Sequence, residues 1–166
     1  APGRMPIGPR WDDGRDRSLD GEGNMLIRLE STRTIADSRG PDMDLGALQR
    51  LLGELTWLPT AYLDARFITW EPVDDASARA TLRVGGREAA LTFHFGPDGM
   101  PSSVTADRYR DVDGKGVLTP WKGESSDYRE VDGLRVPFRA EASWQIEGQW
   151  HSYGRFEVER IEFDRP

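Results

Sequence analysis

The chain has 166 residues, enough for one domain with a core of its own. Its formal net charge is -7 and it has no basic stripe, which argues against nucleic acid or an anionic membrane surface as a partner. With no cysteine, disulfides, thiolate metal sites and Cys nucleophiles are excluded.

No apolar run approaches the length of a membrane span, and no signal peptide is visible. The expected compartment is the cytoplasm, with an exported protein whose signal has been removed as the alternative. Eighteen Gly and eleven Pro suit a chain with many turns. Oligomeric state cannot be read from the sequence.

Residues 1–22 lack periodicity and are rich in Pro, Gly, Arg and Asp, so they read as an irregular arm with Trp11 as its anchor. The remainder, 23–166, reads as a single domain. From Met25 to about Ala36 apolar and polar residues alternate, as in a long strand that ends at Gly40-Pro41. A helix is expected over 44–56, with Asp44 as N-cap. Leu45, Leu48, Leu51, Leu52 and Leu55 form its stripe, Arg50 and Glu54 sit at i,i+4 on its flank, and Trp57-Leu58-Pro59 ends it.

The rest reads as strand and turn. Phe67 to Glu71 is a short strand. Gly85-Gly86 closes a hairpin that sets Leu82 opposite Ala89, Ala80 opposite Leu91, Ala78 opposite Phe93 and Ala76 opposite Phe95, with Arg83 facing Glu88 on the other side. A four-residue turn at Gly96-Pro97-Asp98-Gly99 then sets Val104 opposite Leu91 and Ala106 opposite Ala89. Residues 111–124 read as a polar loop, with Trp121 as a lid or surface anchor.

Asp132-Gly133 closes a second hairpin, followed by alternation from Leu134 through Phe138, Ala142 and Trp144 to Ile146. A three-residue loop at Glu147-Gly148-Gln149 sets Ile146 opposite Trp150, Ala140 opposite Phe156 and Phe138 opposite Val158, with Glu141 facing Arg155 and Arg139 facing Glu157. A parity shift predicts a bulge between Val158 and Ile161. The sum is a mainly β (α+β) domain. It is one curled antiparallel sheet, a half-barrel of about eight strands, with one amphipathic helix on the concave face.

The order Asp20-Gly21-Glu22-Gly23-Asn24-Met25, Arg39-Gly40-Pro41 and Arg50 through Pro59 resembles an uncharacterised bacterial family of unknown function. Trp70, Asp98-Gly99, Gly133, Val136-Pro137, Trp144, Tyr153 and Ile161-Glu162-Phe163 continue the resemblance, which spans roughly 20–163. It implies a fold similar to the lipoprotein-localisation carriers and the VioE-like proteins. Members of that group bind lipids or apolar small molecules, and one relative is a pigment-biosynthesis enzyme. Likeness of fold does not by itself carry function.

Catalytic signatures are absent: no nucleophile elbow, no phosphate loop and no spaced metal ligands. No cofactor is implied. Asp111-Val112-Asp113-Gly114 lacks the remaining ligands of a calcium loop. His94 and His151 fall on the charged face and read as solvated side chains. Glu54 is the carboxylate that would stand at a cavity wall, against a structural role as partner of Arg50 or Arg108. Arg108 shares the parity of Val104 and Ala106, so it points to the apolar side and needs an acidic partner or an anionic ligand. Trp57, Trp70, Trp121, Tyr128, Trp144 and Trp150 are the aromatics expected near a cavity. The leading expectation is therefore a binder of an apolar or amphipathic small molecule between helix and sheet. The alternatives are a cofactor-independent cyclase or isomerase, and a structural or interaction domain with a filled core.

Overall fold

In the computed structural model, residues 45–163 are described with their side chains. Ahead of Leu45 only backbone elements are described: β1 (Gly3–Ile7), β2 (Arg10–Leu19), β3 (Glu22–Leu29), β4 (Arg33–Arg39) and the first residues of helix α1 (Pro41–Glu54). These stand where an irregular arm and one long strand were expected. The anchoring by Trp11 and the capping by Asp44 lie outside the described residues.

Seven further strands follow: β5 (Ile68–Asp74), β6 (Ser77–Val84), β7 (Arg87–Phe95), β8 (Pro101–Val112), β9 (Lys115–Val131), β10 (Leu134–Ile146) and β11 (Gln149–Glu157). They form one open antiparallel sheet in chain order, with β5 and β11 as its edges. This is the expected curled sheet with a single helix, built from seven strands rather than about eight.

Turn chemistry sets the hairpins. Two-residue turns at Gly85-Gly86, Asp113-Gly114, Asp132-Gly133 and Glu147-Gly148 each place both central residues at positive φ. That geometry matches the twist of paired strands and favours Gly at the second position. The β6–β7 register is the expected one, with Ala78 opposite Phe93, Ala80 opposite Leu91, Leu82 opposite Ala89 and Arg83 opposite Glu88.

Three expectations are corrected. The polar loop over 111–124 does not exist, because Asp113-Gly114 is a hairpin turn and Trp121 lies within β9. Val104 pairs with Phe93 rather than Leu91, because a register shift between His94 and Phe95 and a tighter turn, with Gly96 N–H donating to the Met100 carbonyl, displace β8. Along β10–β11 the outer pairs Arg139–Glu157, Ala140–Phe156 and Glu141–Arg155 hold, but a bulge falls between Ala142 and Ser143. Trp150 therefore faces Gln145 instead of Ile146, and His151 stands opposite Trp144 rather than on the charged face.

The registers carry one line across the apolar face: Phe93, Val104, Gly123, Ala142 and Gly154 are successive cross-strand partners. Helix α1 lies on this side. Leu48 and Leu52 are buried against Leu91 and Phe93, each such side chain contributing about 1.5–3 kcal/mol by leaving water. Gly53 lies at the same contact, where a Cβ would meet Leu91 Cδ1 at an ordinary van der Waals distance of 3.5 Å. Leu51, expected in the stripe, is 38% exposed.

The helix ends in a 3₁₀ turn over Leu55–Trp57 and a second over Pro59–Leu63. This brings Tyr62 back under the helix, where its hydroxyl donates to the Leu52 carbonyl at 2.8 Å. It thereby satisfies one of the orphan acceptors of a helix C-terminus. Burial pushes the Tyr62 phenol far above its ordinary value. Tyr62→Phe is expected to lower stability by about 1–3 kcal/mol, as a buried carbonyl loses its donor. The sign with pH follows from linkage. A phenol raised in the folded state stabilises fully below its ordinary value of 10.0 and loses that contribution as pH climbs above it. The loss of stability at alkaline pH should therefore be shallower in Tyr62→Phe than in the native chain, read by circular dichroism against pH.

Candidate functional site

The β7–β8 ladder is short. It runs only from Thr92–Thr105 to Phe95–Pro101, although β8 continues to Val112 with β9 on its other side. Beyond Thr92 the two strands part, and helix α1 bridges the gap with side chains. Gln49 Nε2 donates to the Asp107 carbonyl at 3.1 Å, and Arg108 Nη2 donates to the Gly46 carbonyl at 3.0 Å.

Above this gap lies a cleft of about 830 Å³, within the ~300–1,000 Å³ range of small-molecule sites. Its floor is Leu45, Gln49, Ala89, Ala106 and Trp121, and Thr, Arg and Glu side chains of β5 to β7 form its walls. Two of the wall charges pair with each other. Arg83 holds Glu88 at 3.2 Å and the Thr69 hydroxyl at 2.9 Å. At the floor, Gln49 is 5% exposed and its Oε1 has no hydrogen-bond partner among the described residues. A buried carbonyl oxygen of this kind costs about 1–3 kcal/mol until a donor reaches it. Trp150 closes the far wall, with Lys122 Nζ 5.0 Å from its ring centre.

Of the residues singled out from sequence, Trp121 lies in this cleft and Arg108 packs against it, guanidinium 4.6 Å from the ring centre. The Trp121 indole donates to the Tyr153 hydroxyl at 2.8 Å, and Tyr153 stacks on Trp144 with ring centres 5.6 Å apart. Trp57 donates to the Pro137 carbonyl at 3.0 Å. Trp70 donates to the Tyr62 carbonyl at 3.2 Å and meets Phe93 edge to face. Tyr128 donates to the Pro101 carbonyl at 2.7 Å, and burial pushes its phenol up.

Each of these four aromatics spends its donor on the protein itself. Glu54 is exposed and pairs with Arg50 at 3.3 Å, a surface contact worth about 0.3–0.5 kcal/mol. His94 meets the Thr105 hydroxyl at 2.9 Å. Among the described residues no three His, Asp or Glu side chains gather as metal ligands, and no helix is long and apolar enough to cross a membrane.

Sequence reasoning missed Gln49, Ala89 and Tyr153. Gln49 carried one signal: at about 100° per residue it lies about 60° from Leu52 and about 40° beyond Leu45, at the edge of the apolar stripe. Tyr153 is among the positions that carry the family resemblance, but its place beside Trp121 depends on the bulge.

These features define a β-rich domain, an open antiparallel sheet whose β7–β8 ladder stops short and is bridged by one helix. The chain belongs to the family of unknown function DUF6544, which it matches over residues 2–156. No curated protein and no solved structure matches it.

Proposed function

We propose that the domain binds a small amphipathic molecule in the cleft where β7 and β8 part. The observation that carries this is Gln49: its oxygen is buried at the cleft floor without a donor among the described residues, beside the apolar surfaces of Leu45, Ala89 and Ala106. A ligand hydroxyl or amine would satisfy that oxygen once the Gln49 amide turns into the cleft, while its apolar portion would lie on the floor and on the Trp121 ring. Polar walls suit a molecule with more than one polar group. The family resemblance implies a fold similar to the lipoprotein-localisation carriers and VioE-like proteins, and such a fold would suit a lipid-like or metabolite-sized molecule.

A structural or interaction domain is the second reading, favoured by the filled layer beneath the helix, where Tyr62, Trp70 and Phe93 pack ring to ring. The cyclase or isomerase reading has no observation behind it, since Glu54 is exposed and paired with Arg50.

The test uses native mass spectrometry and thermal unfolding of the purified chain. Expected are a non-covalent small-molecule adduct and, with the ligand stripped, stabilisation by a series of fatty alcohols. A probe at 100 times its Kd adds about 2.7 kcal/mol. Ala106→Trp, which fills the floor, should abolish both while keeping the far-UV spectrum. No adduct and no stabilisation by any probe would leave the structural reading standing.

A further inference from the structure

The two edges of the sheet differ. β5 carries Pro72, which blunts an edge because it has no N–H to offer. β11 (Gln149–Glu157) carries no Pro and no Lys, and exposes Trp150, Tyr153 and Phe156 at 43%, 55% and 53%. Its backbone orientation is fixed by one bond: Val158 N–H donates to the Phe138 carbonyl at 2.9 Å. In an antiparallel ladder the direction alternates. Val158, Phe156 and Gly154 therefore turn their N–H and C=O groups towards β10, and Arg155 and Glu157 turn theirs outwards.

We propose that β11 is the dimerisation edge of this chain, pairing antiparallel with β11 of a second copy about a two-fold axis at Phe156. A two-fold contact must be self-complementary, and this register is. Arg155 falls opposite Glu157 of the second copy, twice, and both are the residues whose backbone groups point out. The two Phe156 rings meet between these pairs.

The charges then continue a ladder that already exists. Within one chain Arg155 sits 3.3 Å from Glu141, and Arg139 sits 3.4 Å from Glu157. Across the joined sheets the order becomes Glu141, Arg155, then Glu157 and Arg139 of the second copy, with signs alternating at every step. Opposite charges across strands stabilise pairing and like charges oppose it. The interface is small and polar, so the dimer is concentration-dependent.

The test is sedimentation equilibrium of the full chain over a wide concentration range. The native chain should approach twice the monomer mass. Arg155→Glu alone and Glu157→Arg alone each place like charges opposite one another twice, and each should stay monomeric. Mixed one to one, the two variants present Glu against Arg at both pairs, so the mass should double again. The substituted side chains are 76% exposed, so folding is preserved, as circular dichroism will show. A native chain that remains monomeric, a dimer indifferent to either variant, or variants that fail to combine on mixing would each overturn the proposal.

Discussion

Phe93→Ala should lower the free energy of unfolding by about 3–5 kcal/mol, the range for truncating a buried aromatic. Phe93 is 1% exposed. Its ring meets Tyr62 and Trp70 edge to face, with centres 5.4 and 5.2 Å away. It also stands opposite both Ala78 and Val104, so it joins the two halves of the sheet on the last rungs before they part. The small residue facing it cannot fill the void, and neither can Tyr62, whose hydroxyl is held by the helix end. The urea midpoint should fall with an unchanged slope. A loss below about 1 kcal/mol would mean that the ring is not part of the core.

Gly123→Val should cost about 1–3 kcal/mol, the penalty for forcing extra atoms into a packed site. A Cβ at this position would lie 2.9 Å from Trp121 Cη2 and 3.1 Å from Val104 Cγ2. Neither neighbour can give way easily. The Trp121 ring is pinned by the Tyr153 hydroxyl at 2.8 Å and flanked by the Arg108 guanidinium. Val104 is held between Phe93 and Gly123 by the ladder. Displacing the indole should also shift tryptophan emission to the red. A variant as stable as the native chain, with unchanged emission, would place Trp121 elsewhere.

Much of the fold was legible because it is written in local signals. Gly85-Gly86 and Asp132-Gly133 marked their turns, and the alternation of Ala78, Ala80 and Leu82 against Phe93, Leu91 and Ala89 fixed a register that a one-residue slip would have destroyed. Asp113-Gly114 uses the same turn chemistry. The strand after it gives no matching signal, because Gly116 to Trp121 shows no alternation of polar and apolar residues. The shifts at His94/Phe95 and Ala142/Ser143 leave no trace in composition, since one extra residue is accommodated by pairing and not by side-chain type.

The candidate site was the least legible part for the same reason. Trp57, Trp70 and Trp144 were sensible choices for a greasy hollow, yet each was equally suited to a core. The cleft arises where a ladder stops, and its floor is a glutamine from a helix that the sheet's own pattern does not announce.

The stopping point of that ladder can be measured directly by cross-strand NOEs between backbone protons of β7 and β8. They should be strong from Phe93 to Val104, end at Thr92–Thr105, and give way to contacts between the Gln49 side-chain amide and Asp107. Continued NOEs linking Leu91 to Ala106 and Ala89 to Arg108 would mean an unbroken sheet, no gap for the helix to bridge, and no cleft.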